Sequence, residues 1–356
     1  MILLNVLIVV STLFASTQEP DISLSVPQIQ TISESESVDL KLPKGVKKEN
    51  ISLNKSRNEV TFLKNTSFSD MPNPDLDKEG FYWSVPNTIK VVIIEKNVKI
   101  IGGFRANGDL TIEGIDRSTS EIFGTETKAW ALGPDAKTDP NSSCSNGAKG
   151  DDVLHDCEKW KYGAVSSTAA NSTTVYVKNI TINNSRTYAI TSFGPKIIVD
   201  NVHVKVSRPI PDFHSNSDGI SAGAGSIVRN SKFDCWDDAI KLYRDITVEN
   251  VTIIHNANGA PFQLGWGNDN NVTNHTLKNI LIEVKNKDYT NLALFSASLT
   301  SGKVNRNVTI DGLKVQYDVS QKVKGTDSLP LFLMKSPDAI MTLKALNVDI
   351  SAPKGL

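Results

Sequence analysis

Three aspartates, Asp218, Asp237 and Asp238, stand in short polar strings spaced so that a repeating chain would stack them. The strings are HSNSDGI (214–220), DCWDDAIKLY (234–243) and APFQLGWG (260–267). Asp237 follows Asp218, and Gln263 follows Lys241, at an interval of about 20 residues, the length of one turn of a coiled strand repeat. Such stacking would gather the aspartates with Lys241, Gln263 and Trp266 on one patch. Carboxylates crowded together repel, and the repulsion raises the pKa of at least one of them. A protonated acid beside ionised bases is what cleavage of a glycosidic bond needs. The acid protonates the leaving oxygen and a base activates water. Adjacent residues in a strand face opposite ways, so Asp237 and Asp238 together predict a bend or bulge.

Other residues of these strings are candidates for holding a sugar chain: Lys241, Tyr243, Gln263, Trp266, Trp236 and His214. Trp266 reads either as a platform for sugar stacking or as core. Lys241 reads either as a substrate contact or as the ion-pair partner of an aspartate. His214 fits a turn as well as a contact.

The elements that must position these residues show as internal repeats. The pattern apolar-x-Asn-Val/Ile-x-Val/Ile recurs as YVKNITI (176–182), IVDNVHV (198–204), IVRNSKF (227–233), TVENVTI (247–253) and TLKNILI (276–282). A degenerate copy is VTIDGLKV (308–315). Asn179, Asn201, Asn230, Asn250 and Asn279 follow one another at roughly 20–30 residues, the length of a solenoid coil. Alternation within each copy has period two, so these are strands with one face inward, stacked about 4.8 Å apart. Each asparagine would sit at a turn and join a ladder with the next coil.

A second stack interleaves with the first: Ala189-Ile-Thr-Ser, Gly219-Ile-Ser-Ala, Ala239-Ile-Lys-Leu, Pro261-Phe-Gln-Leu, Leu292-Ala-Leu-Phe and Leu331-Phe-Leu-Met. Hairpin sandwiches do not repeat at this interval. The pattern predicts an all-β, right-handed parallel β-helix over 88–356, preceded by a short β-rich region over 18–87. The polar stretch 124–163 reads as an inserted loop, in which Cys144 and Cys157 could pair. Cys235, beside Trp236, reads as a buried small apolar residue.

The chain has 356 residues and a formal charge of −1, which gives no basis for nucleic-acid binding. Residues 1–17 form an apolar run ending in small residues, the pattern of a signal peptide, so the expectation is a secreted, extracellular monomer with no membrane segment after cleavage. Eleven Asn-x-Ser/Thr sequons suit such a route, with a few of them occupied by glycans. No Cys/His spacing suggests a metal centre, and no cofactor is expected.

SDG, then WDDAIKLY, then PFQLGW resembles glycoside hydrolase family 49, the dextranase and isopullulanase family, over about 185–300. The family pattern is HTDG, then NDDAIK, then a Pro-x-x-Gln-x-Gly-Trp segment. The resemblance implies an inverting endo-hydrolase of α-glucans. Asp237 would be its general acid, with Asp218 and Asp238 activating the water. Inversion implies carboxylates roughly 6.5–9.5 Å apart. His214 lies two residues further from its aspartate than the histidine of the family pattern. A polygalacturonase-like pectin hydrolase is the alternative within the fold, although its GHG and RIK segments do not occur here. Two rivals from other classes are a lyase, which would lean on basic residues and often calcium, and a non-catalytic β-helix that binds glycans.

Overall fold

The computed structural model describes residues 40–43, 45–68, 82–124, 163–185, 188–207, 218–256, 259–265, 269–285, 293–297, 303–317 and 331–351. The expected signal peptide, Cys144, Cys157, His214, Trp266 and nearly all of the 124–163 insertion lie outside them.

Alternation of apolar and polar residues settles the architecture. Within Thr174–Lys178, Val175 and Val177 are buried and Tyr176 between them is exposed. The same register repeats on each coil. Ile112, Val177, Val199, Val228, Val248, Leu277 and Ile310 form one inward column through parallel pairs. All are buried. Stacking turns each coil's apolar stripe into a continuous core that no single coil could bury alone. The described residues form a parallel β-helix of a seventeen-stranded and a nine-stranded sheet. Among them, parallel pairing is already present at Glu59–Phe62, which joins Val91–Ile94, ahead of residue 88. Ile51–Asn54 folds back antiparallel on Glu59–Phe62.

The asparagines at the corners have a backbone reason. Asn179, Asn201, Asn230, Asn250 and Asn279 all take φ between 51° and 55°, the left-handed region. Asparagine tolerates this conformation better than other residues bearing a Cβ. Their amides form most of the expected ladder: Asn201 Nδ2 donates to Asn179 Oδ1 at 3.0 Å, Asn250 to Asn230 at 3.2 Å, and Asn279 to Asn250 at 3.1 Å, while Asn230 Nδ2 turns to Asp200 Oδ1 at 2.8 Å. In the degenerate copy Gly312 takes the corner at φ 84°.

The nine-stranded sheet carries the site. Its inward column runs Trp83, Phe104, Val165, Ile190, Ile220, Ile240, Phe262, Phe295. The second stack follows the expected register through Pro261-Phe-Gln-Leu. It then passes through Phe295–Ala297, two residues beyond the expected alignment of Leu292-Ala-Leu-Phe. Phe295 stacks on Phe262 with ring centroids 5.0 Å apart, and that large inward ring fixes the register.

Candidate active site

The site is built where the chain enters the short strands Ile220–Ser221, Ile240–Lys241 and Phe262–Gly265. Ile220 pairs with Ile240, and Ile240 with Phe262. Two residues before each of these lie Asp218, Asp238 and Ala260. The backbone confirms the column: Gly219 N donates to Asp238 O at 2.9 Å, and Ala239 N to Ala260 O at 3.0 Å. Asp218 therefore stacks on Asp238, not on Asp237 as the sequence interval suggested, because this coil closes one residue later. Lys241 and Gln263 are direct neighbours, as their own interval implied. The chain bends at Trp236-Asp237 between strands Lys232–Cys235 and Ile240–Lys241, which sends the two adjacent aspartates different ways.

Asp218 and Asp238 are 2% and 1% exposed, whereas Asp237 is half-buried. One oxygen from each of the three carboxylates lies within 4.8 Å of the others. The nearest oxygens are thus closer than the roughly 6.5–9.5 Å that inversion implies. Two of the three share a cation. Lys241 Nζ sits 2.7 Å from Asp218 Oδ1 and 2.7 Å from Asp238 Oδ2. Burial opposes the ammonium's charge, but Asp218 and Asp238 outweigh it and hold the lysine pKa well above its usual value.

Asp238 is held from several directions. Besides Lys241, Ala260 N donates to its Oδ1 at 2.8 Å. Gln263 Nε2 lies 3.3 Å from both of its oxygens. Asp237 Oδ1 accepts from Asp238 N at 3.0 Å, which fixes the Asp237 carboxylate against the bend.

These contacts bear on the expected substrate set. Lys241 and Gln263 are buried against the aspartates, and Lys241 is ion-paired with two of them. Trp236, tucked into the bend, is 5% exposed, leaving little of it for a sugar. Tyr243 is half-buried, with Lys241 Nζ 5.6 Å from its ring centre. Cys235 is buried as a free thiol, with its pKa pushed well up by burial and then by Asp234.

Two residues escaped the sequence reading. Tyr188 occupies the position before Ala189 that Asp218 occupies before Gly219, and its ring centre lies 5.1 Å from Lys241 Nζ. The shared offset from the second stack was the available signal. Gly259 is the other. Its φ is +67°, and a Cβ there would lie 2.4 Å from Asp237 Oδ1 and 2.5 Å from Asp238 N. Only a glycine can cover the aspartate bend so closely. Gly219 of SDG is similarly confined, since a Cβ would meet Ala239 O at 2.3 Å.

Part of the chain is similar to two characterised enzymes. It is 28% identical over 127 residues to "Dextranase" of Arthrobacter sp. (strain CB-8), covering 33% of this chain and 20% of that protein. It is 27% identical over 127 residues to "Dextranase" of Arthrobacter globiformis, with the same coverage. The chain spans about a fifth of the length of these relatives. No family profile matches it.

The arrangement separates two environments. The buried, lysine-bridged pair is held in place, and the half-buried carboxyl of Asp237 is the one of the three open to a molecule outside. Carboxyls in unlike environments are what general acid–base chemistry requires.

Proposed function

We propose that the protein is a secreted glycoside hydrolase that cleaves α-glucans of the dextran or pullulan type. Asp237 donates its proton to the glycosidic oxygen as the C–O bond breaks. A water held by Asp218 and Asp238 attacks the anomeric carbon and gives up its proton to that pair. Solvent exchange then restores the starting protonation states. The chemistry rests on the protein's own groups, with no metal or cofactor. The observation that carries this reading is the trio itself: three carboxylates within 4.8 Å, two buried on one lysine and one half-exposed. The partial similarity to the two dextranases supports the substrate class.

The short carboxylate spacing taken alone would favour a retaining, covalent route, whose carboxylates stand roughly 5–5.5 Å apart. Burial argues the other way. Asp238 has its oxygens taken by Lys241, Ala260 N and Gln263, and a carboxylate so occupied is a poor nucleophile. Inversion is therefore the proposed outcome. The anomeric configuration of the first product, read by proton NMR within minutes of cleavage, decides it. Release of the β-anomer from an α-linked substrate supports inversion, and release of the α-anomer overturns it.

The activity is tested by reducing-sugar release from dextran, pullulan and polygalacturonate, comparing wild type with Asp237→Asn. Release from an α-glucan that falls about 10²–10⁴-fold in the variant supports both substrate and acid. Release from polygalacturonate alone moves the protein to pectin hydrolysis. Binding to glycans without release supports the non-catalytic reading.

A further inference from the structure

We infer that Lys241 is a positioning residue whose buried ammonium holds Asp218 and Asp238 side by side as an ionised pair, and that it makes no contact with substrate. The inference rests on the hydrolase reading only for the meaning of its kinetic readout.

Three observations carry it. The first is the stacking: Asp218 and Asp238 occupy the same column on successive coils, so the fold itself forces two carboxylates together. The second is their isolation from water. Both are almost wholly buried, and a buried like-charged pair either finds a cation or loses a charge by taking up a proton. The third is the position of the ammonium, 2.7 Å from one oxygen of each carboxylate and itself only 4% exposed.

The groups facing Lys241 from the neighbouring elements fit this role. Asp218 comes from the coil before it and Gln263 from the coil after. Asp238 lies three residues upstream of it. The rings of Tyr188 and Tyr243 lie 5.1 and 5.6 Å from its Nζ. Both phenols are held neutral: burial, above all, pushes their pKa values well up. The two carboxylates and the ammonium thus sum to a single negative charge, to which the neutral phenols add nothing.

The same column explains why a shorter residue would not serve. Lys241 faces outward from the strand while its neighbour Ile240 faces the core, and its chain must reach back along the sheet to the start of two coils. Its long aliphatic stem supplies that reach while the side chain stays buried.

The test replaces Lys241 with Met, of similar length and no charge, and with Arg. Kinetics on the cleaved glucan are measured across pH, and the carboxyl carbons of 13C-labelled aspartate are titrated by NMR in wild type and variants. For Lys241→Met the expected result is a kcat at neutral pH lower by about 100-fold or more, with KM within about twofold. The acid limb of the pH–rate profile moves upward by about one unit or more, so that part of the activity returns at higher pH. One of the two buried carboxyl signals titrates at correspondingly higher pH. Lys241→Arg retains the unshifted limb. A raised KM with the limb unmoved would show a substrate contact and overturn the inference. A uniform loss of kcat with unmoved carboxyl signals would show a merely structural role and overturn it as well. If Lys241→Met does not fold, Asp218→Asn/Lys241→Met removes a charge of each sign. Recovery of folding in that double variant supports the inference, and persistent unfolding counts against it. Inactivity of the wild type on every glucan would sink the hydrolase reading alone, since the carboxyl titration still decides the role of Lys241.

Discussion

At the scale of single residues, the site depends on close approach as much as on charge. The bend at Trp236-Asp237 turns one carboxylate to the outside and the next to the inside, and Gly259 packs directly over it. Gly259→Ala adds a methyl 2.4 Å from Asp237 Oδ1 at a backbone φ of +67°. The bend has to shift, and Asp237, the proposed acid, shifts with it. The expected outcome is a kcat/KM lower by about 100-fold, since small misplacements of a reacting group cost that much. A stability loss of about 1–3 kcal/mol accompanies it. Kinetics and a thermal melt on the same preparation check both, and unchanged kcat/KM would remove Gly259 from the site. Asp238→Asn acts differently. It leaves Lys241 paired with Asp218 alone and retains the bond from Ala260 N, so the fold should survive while activity falls. Circular dichroism alongside the reducing-sugar assay separates the two effects.

At the scale of the strand and its corner, the asparagines have two roles that can be told apart. Asn250 sits at φ 54°, and its side chain both donates to Asn230 and accepts from Asn279. Asn250→Gly removes the two ladder bonds and leaves the backbone at ease. Asn250→Ala removes the same bonds and adds the left-handed strain, which costs about 1–2 kcal/mol. Alanine should therefore be the more damaging change by about that margin in urea unfolding. Equal losses would mean that the ladder bonds alone matter. The ladder also bears on the sequons. Asn183 is buried, with its Nδ2 donating to Glu121 Oε1 at 2.8 Å, and Asn179 and Asn250 spend their Nδ2 groups inside the stack. Those motifs are strand and corner chemistry first, as the repeat positions already implied.

At the scale of the whole molecule, pH acts through buried neutral histidine. His275 is 2% exposed, and its Nε2 lies 2.8 Å from Thr273 Oγ1. Burial first, and then the charge of Arg306, lower its pKa from 6.5 to about 4. Between those two values the unfolded chain binds a proton that the native chain excludes. Stability therefore falls as pH drops from about 6.5 to about 4 and levels off below. The shift corresponds to at most about 3 kcal/mol. Unfolding by urea at pH 7 and pH 4.5 should show the loss, and His275→Gln should reduce it, leaving the part carried by His203, whose pKa burial and then Lys232 likewise lower to about 4. A stability that stays level across this window in the wild type would refute the assignment. In a stack held by neighbour-to-neighbour contacts, such a local penalty is felt first by the coils around Asp269–Val284 and Val304–Tyr317.

Much of this was legible in the linear chain. Period-two alternation and asparagines recurring at roughly 20–30 residues determined a parallel β-helix, because no other arrangement lets each coil bury its apolar stripe on the next. The same repeats brought Asp218, Asp237, Asp238, Lys241 and Gln263 to one place. What the spacing could not determine was which aspartate stacks on which. Coil length varies along the chain, and a shift of one reverses the face of a side chain. Only the pairing of Ile220 with Ile240 decided that Asp238, not Asp237, shares the column of Asp218. Burial was equally hidden. Lysine and glutamine in a polar motif read as substrate contacts, and it took the packed outer face of the nine-stranded sheet to turn Lys241 and Gln263 toward the carboxylates. Gly259 and Tyr188 lay in strings with no charge to draw notice. Their part follows from contacts between coils, and such contacts exist only once the chain is wound.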